Sequence, residues 1–288
     1  MDWKLLPLSK TVNVTGLYSF FYYERDTHFY FPGEKHDFWE MVYVDRGEIS
    51  AVADTRSYLL RQGELLFHKP NEFHAMASSP REPHNVIVTS FATDSVAMEF
   101  FKNKLFTLTK QQQGLLSQMF GAMRAAFGNG FAINTNAVDT PVVNMSAYQL
   151  AIAHLEHLLI DLMGENRVSL PNERERQVAR KNVENALVDA VKAFLKSNVY
   201  RRLNLQTVCE QFHLSKSYLC DAFRSETGQS LMNFYMELKI QEAKFLIRKG
   251  EWNFTQIAEA LGFADIHHFS HAFKNKAGMS PSAYAKTV

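Results

Sequence analysis

Two stretches toward the C-terminal end gather side chains suited to one kind of chemistry. Lys216, Ser217, Tyr218, Cys220, Asp221 and Arg224 fall close together, as do Ile266, His267, His268, Ser270, His271 and Lys274. Short polar groups and imidazoles can exchange hydrogen bonds with base edges, and Lys or Arg can neutralise phosphates. Asp221 cannot pair with guanine O6/N7; it accepts from cytosine N4 or forms a local salt bridge to Lys216 or Arg224. His267 and His271 share a helix face, yet no third ligand is evident, so no metal is expected there. Cys220 beside basic groups could act as a redox sensor, or simply as a small packing residue.

The elements that would position these side chains repeat. Val208-Cys209-Glu210-Gln211-Phe212-His213-Leu214-Ser215 matches Ile257-Ala258-Glu259-Ala260-Leu261-Gly262-Phe263-Ala264. After a one-residue insertion, Leu219 pairs with Phe269, Phe223 with Phe273, and Gly228 with Gly278. Each copy reads helix, tight turn, helix. Gly262 and His213 stand where the first helix must end with positive φ, and Ser215 and Asp265 cap the second helices. Leu219, Ala222 and Phe223 must face a core, as must Phe269, Ala272 and Phe273, which leaves the polar set facing out. Ser230 starts a long joining helix whose expected apolar face is Leu231, Phe234, Leu238, Ala243, Phe245 and Leu246. With another helix over Asn182–Ser197, about seven helices are expected. Lys216, Arg224, Lys274 and Lys276 suit phosphate contacts. Residues 177–288 carry 15 Lys/Arg against 10 Asp/Glu, a charge of +5 within a chain of net +1. That asymmetry favours an anionic partner.

Residues 10–95 read as short aromatic and β-branched strands: 12–14, 17–23, 28–31, 38–44, 57–60, 64–68 and 85–91, separated by Gly, Pro and Asn turns. Helices follow over 96–106, 111–127 and 145–163, with an ordered loop over 128–143. Leu155, Leu158, Leu159 and Leu162 form one apolar stripe on the third of these. Residues 164–178 are polar and aperiodic. The expected class is therefore α+β multidomain: domain 1–165, linker 166–180 and an all-α domain 181–288, with helix-turn-helix units at about 203–228 and 254–278. Two cysteines, Cys209 and Cys220, exclude a disulfide framework. No apolar run long enough for a membrane span and no secretory leader are read, so a reduced cytoplasmic location is expected.

Residues 183–285 resemble the DNA-binding domain of the AraC/XylS transcriptional regulators. The resemblance rests on Leu214-Ser215-Lys216-Ser217-Tyr218-Leu219, Phe223-Arg224-Ser225-Glu226-Thr227-Gly228, Ile257-Ala258 through Leu261-Gly262-Phe263, Phe269-Ser270-His271-Ala272-Phe273-Lys274 and Gly278-Met279-Ser280-Pro281-Ser282-Ala283-Tyr284. It implies that the outward positions contact bases in a double-stranded operator. It also implies a cupin-like β-barrel ahead of that domain. Glu34-Lys35-His36-Asp37-Phe38-Trp39-Glu40, Gly47 and Gly63 through His74 are similar to the two cupin motifs, with Glu34 in place of the first His and Asn71 in place of a turn Gly. Two readings stay open. Glu34, His36, Glu40 and His74 could bind iron, manganese or zinc in a cupin enzyme with a DNA-binding appendage. Alternatively, Arg25, Glu34, His36, Phe38, Glu40, His68 and His74, with Trp39, Tyr43 and Tyr22 as further candidates, line a pocket for a small-molecule effector. The metal-free sensor is favoured, without cofactor or catalysis. A carbohydrate and an aromatic acid both suit such a lining. The resemblance further implies an activator that contacts RNA polymerase and a homodimer through 145–163, although the leucine stripe could instead cover the barrel.

Overall fold

The computed structural model describes residues 3–128, 141–164, 168–169 and 171–288. Most of the loop expected over 128–143 lies outside the described residues. The chain divides into two units, Met1–Val183 and Glu184–Val288. The first is an antiparallel β domain with helices, and the second is helical. Among the described residues no helix is long and apolar enough to cross a membrane.

Among the described residues ten strands build the first unit: β1 Gly16–Arg25, β2 Tyr30–Glu34, β3 Trp39–Arg46, β4 Glu48–Ala53, β5 Arg56–Arg61, β6 Glu64–His68, β7 His74–Ser78, β8 His84–Ala92, β9 Leu105–Thr107 and β10 Val168–Ser169. They form a six-stranded sheet, β1-β8-β3-β6-β9-β10, and a four-stranded sheet, β2-β7-β4-β5. Residues 12–14 are not a strand, although Val12 and Val14 are buried. Val96–Phe101 is a 3-10 helix and Leu105–Thr107 a strand, where one helix over 96–106 was expected.

Side-chain alternation along β3 separates two cores. Val42 and Val44 pack with Ile49, Ala51, Leu60 and Met76, and this cluster joins both sheets. Trp39, Met41 and Tyr43 turn to the opposite face, where α1 (Lys110–Phe127) and α2 (Met145–Gly164) cover the sheet. Leu155, Leu158, Leu159 and Leu162 are 0–2% exposed in that second core. The stripe therefore covers the barrel of its own chain and offers no surface to a twin. Each such leucine contributes roughly 1.5–3 kcal/mol through removal of apolar area from water. Polar bonds fix α2 in place: Tyr148 Oη accepts from the Leu17 amide at 3.0 Å, and Glu156 accepts from the Val14 amide at 2.9 Å.

The segment read as an irregular linker is largely structured. Val168–Ser169 pairs with β9, and α3 runs from Glu173 to Ser197. Glu175 takes Arg61 at 2.9 Å, and the Asn182 amide donates to Ser50 Oγ at 3.0 Å. Ala179, Val183, Leu187, Val191 and Leu195 are buried every fourth residue. That period was hidden at its start, where Val178 and Ala179 stand alone among charged and polar residues.

Within the second unit the helices are the C-terminal part of α3, α4 Leu205–Gln211, α5 Lys216–Thr227, α6 Leu231–Lys249, α7 Phe254–Ala260, α8 Ile266–Ala277 and α9 Pro281–Ala285. On α6 the buried residues are Leu231, Tyr235, Lys239, Ile240, Ala243 and Ile247, whereas Phe245 is exposed. The expected face was rotated, because Lys239 and Tyr235 belong to the core despite their polar ends.

Candidate functional site

The barrel positions four ligand-type side chains. Register pairs Glu40 on β3 with both His68 on β6 and Ser90 on β8. Glu34 lies opposite His74 across β2 and β7, after an irregularity between Phe31 and Glu34. Gly33 makes that irregularity possible. Its φ is +107°, and a Cβ there would stand 2.4 Å from the Phe73 ring and 2.8 Å from His74 O. Asn71, at φ +62°, donates its amide to His36 O at 2.6 Å and so ties the segment before β7 to the loop before β3. The result brings one ligand atom each of Glu34, His36, Glu40 and His74 within 4.8 Å of the others.

Both imidazoles are held from behind. His36 Nδ1 lies 3.0 Å from Phe38 O, and His74 Nδ1 lies 3.1 Å from Glu72 O. His74 Nε2 is 3.3 Å from Glu40 Oε1 and 3.8 Å from Glu34 Oε1, while His36 Nε2 is 3.8 Å from Glu40 Oε2. Neither buried Nε2 has a hydrogen-bond partner. Burial alone would raise the Glu40 carboxyl, but His36 and His74 outweigh it and hold it well below the usual carboxylate range. Burial likewise opposes charge on His74, yet Glu34 and Glu40 push that imidazole up to about 10. His68 stacks on His74 with centroids 4.3 Å apart, and its Nδ1 is 3.2 Å from Glu72 Oε2. Desolvation lowers the His68 pKa.

Other expected pocket residues are placed differently. Phe38 stacks between His36 (3.8 Å) and Tyr18 (4.0 Å), which makes it a wall of the cluster. Arg25 pairs in register with His84, six residues along β8 from Ser90, and its guanidinium covers Tyr23 and Phe29. It is not part of the cluster. Trp39 and Tyr43 face the helices and not the barrel interior. Tyr22, Tyr43 and Asp45 instead line an open cleft of about 340 Å³ against Gln113 and Phe120 on α1. Three residues were missed. Ser90 Oγ donates to Glu40 Oε2 at 2.8 Å, Ser19 Oγ donates to Ser90 Oγ at 2.8 Å, and Glu72 holds both His68 and His74. A serine inside an apolar strand gives no sequence signal of this kind.

In the helical unit the duplicated turns take the expected conformation: φ is +53° at His213 and +65° at Gly262. Ser215 Oγ accepts from the Tyr218 amide, and the Asp265 carboxylate accepts from the His268 amide. Leu219, Ala222 and Phe223 are buried on α5, as are Phe269, Ala272 and Phe273 on α8. Lys216, Ser217, Tyr218, Asp221 and Arg224 are consequently exposed, and so are His267, His268, His271 and Lys274. Cys220, Ser270 and Ile266 are half-buried, and Ile266 packs against the core around α6. Asp221 accepts from Ser217 Oγ at 3.3 Å. Asn275 Nδ2 lies 3.2 Å from His271 Nδ1; as the amide nitrogen can only donate, Nε2–H of the neutral ring is left facing outward. Lys276, expected on phosphate, bonds Glu237 at 2.9 Å and Asn233 on α6.

A family profile described as an AraC-like ligand binding domain matches residues 16–137, and one described as a helix-turn-helix domain matches 208–287. The chain belongs to the AraC family of transcriptional regulators. Its relatives include the uncharacterized HTH-type transcriptional regulator YfiF of Bacillus subtilis, 28% identical over 87% of this chain and 77% of that protein. The MmsAB operon regulatory protein of Pseudomonas aeruginosa is 23% identical over 98% and 85% of the two chains. The transcriptional activator RhaR of Pectobacterium carotovorum is 25% identical over 91% and 88%. This AraC-family regulator thus joins a ligand-binding β domain to a DNA-binding helical one.

Proposed function

We propose that this regulator reads an operator through α5 and α8 and is controlled by a small effector held at the polar end of its barrel. The observation that carries the reading is the matched display on the two helices. Matching burial triplets turn Lys216, Ser217, Tyr218, Asp221 and Arg224 outward on one, with Cys220 half-buried beside them, and His267, His268, His271 and Lys274 on the other, with Ser270 and the core-packed Ile266 at its margin. Lys216, Arg224 and Lys274 contact phosphates, and His267, His268 and His271 read base edges. Two readers in one domain engage successive major-groove segments, about 34 Å apart.

Effector binding uses Glu34, His36, Phe38, Glu40, His68 and His74. Arg25, which sits apart from this cluster, contributes only if a ligand extends along β8. Carbohydrates are the first class to test, since acids and imidazoles beside stacked rings suit hydroxyls on a ring face. The chain functions in the cytoplasm as an activator without catalysis, contacts RNA polymerase, and pairs with a second copy through the solvent side of α2, where Met145, Leu150 and Ile160 are exposed. The domain limits that serve this mechanism are 1–165 for sensing and 181–288 for DNA. Titrating full-length protein into labelled DNA from upstream of its own coding region tests the reading. Salt-sensitive, sequence-selective binding is expected, with affinity altered by a sugar that also raises the melting temperature. Equal affinity for every duplex sequence would refute it.

A further inference from the structure

We propose that Glu34, His36, Glu40 and His74 hold one divalent transition-metal ion. The proposal deepens the sensing role given to this end of the barrel, but it stands on hydrogen-bond geometry. A backbone carbonyl can only accept, so Phe38 O and Glu72 O fix a proton on Nδ1 of His36 and His74 respectively. In the neutral ring Nε2 then carries a lone pair. Both Nε2 atoms are buried without a hydrogen-bond partner and converge on the Glu40 carboxylate. Two imidazole Nε2 atoms and a carboxylate aimed at one point form a donor set for a cation; without one the charge on His74 faces Glu40, and a bound ion takes its place and satisfies all of them at once.

Size and chemistry agree. His74 is 3% exposed and Glu40 7%, whereas Glu34 is 52% exposed. Ligands about 2.0–2.2 Å from a tetrahedral ion lie about 3.3–3.6 Å apart. The observed Nε2–O separations of 3.3–3.8 Å need only a small contraction. Two nitrogens and two carboxylates suit zinc, iron, cobalt or manganese. Ser90, Phe38 and Glu72 supply the outer bonds that orient the ligands. Glu34, at the solvent side, is the exchangeable ligand, so the ion meets an oxygen-donor effector from that direction.

The test uses full-length protein stripped with a chelator and titrated with Zn²⁺, and with Co²⁺ as a spectroscopic probe. One equivalent per chain and visible cobalt ligand-field bands are expected. His36→Gln and His74→Gln should each weaken binding by more than about 10²-fold. Glu34→Gln, at a half-exposed position that folding tolerates, should weaken it about tenfold and shift the cobalt bands. No stoichiometric metal, or one equivalent that survives all three substitutions unchanged, would overturn the proposal. Operator affinity measured with and without Zn²⁺ separates the two readings: metal bound without effect on DNA supports the site and sinks its sensing role.

Discussion

The two turns of the repeat carry different residues at the positive-φ position, His213 and Gly262, and that difference sets a measurable asymmetry. Replacing Gly262 by Ala forces an L side chain to φ +65°. The left-handed conformation costs about 1–2 kcal/mol. The new Cβ would stand 3.1 Å from Arg202 N and 3.2 Å from Arg201 C. That backbone cannot easily yield, because Arg201 O accepts from both Tyr235 Oη and Lys239 Nζ. Overpacking against it adds about 1–3 kcal/mol, less about 0.4–1 kcal/mol from the lower entropy of the unfolded chain. The net destabilisation is about 2 kcal/mol or more. His213→Gly at φ +53° runs the other way: relief of strain offset by glycine entropy leaves about 0.5 kcal/mol of stabilisation. Hydrogen exchange in the full chain reads each unit separately. Gly262→Ala should speed exchange in α7 and α8 about 30-fold, and His213→Gly should slow it slightly in α4 and α5. A change under about threefold for Gly262→Ala, or faster exchange for His213→Gly, would refute the reasoning.

Arg224→Ala should weaken binding to all duplexes about equally and lower the salt slope by about one, as expected of a phosphate contact. His271→Ala should instead relax preference at particular base pairs by about 1–3 kcal/mol; mobility shifts on an operator library distinguish the two. Lys239 is buried and donates to Arg201 O and Leu261 O, and burial holds its amine down at about 8. Lys239→Met leaves Leu261 O without this donor and should cost about 1–3 kcal/mol in urea unfolding. From pH 8 to 10 the unfolded chain binds more protons at this site than the folded one, so wild type should gain stability relative to Lys239→Met as pH rises. A gap that stays flat or narrows would show that the lysine is held as a cation. Leu158→Ala should cost about 2–5 kcal/mol and leave the oligomeric state unchanged, since that leucine is buried in its own chain; dissociation of a dimer in sedimentation would contradict this placement.

The helical unit was legible because its signals are local. A cap, a turn and a three-residue buried set recur within about 25 residues, and each alone constrains a helix boundary. The barrel was less so. Strands β4 and β7 were missed because Ser50, Ala51, Ala53, Ala75 and Ala77 have small side chains with weak strand preference, yet all are buried between neighbours. Likewise β9 was absorbed into an expected helix, because Leu105 and Phe106 continue the helical pattern of Val96–Phe101 until the sheet claims them.

The structure brings candidate ligands together where chain order and strand pairing agree, and separates them where only pairing decides. Glu34, His36 and Glu40 are close in sequence, and the Asn71 turn returns His74 to them. Arg25 is only nine residues from Glu34 in sequence, but β1 runs beside β8 and carries it six rungs from the Ser90 level. Trp39 and Tyr43 lie away from the cluster for a different reason. A half-buried strand betrays its inner face by polarity, but β3 is covered by the opposite sheet on one side and by α1 and α2 on the other, so both of its faces are apolar. The one informative residue in that run is Glu40. Once a charged side chain in the middle of an apolar strand is assigned to the barrel interior, period-two geometry obliges residues 39, 41 and 43 to face away. The ligand set and the aromatic wall could therefore not both have come from β3, and the wall comes instead from Phe38, which lies before the strand begins.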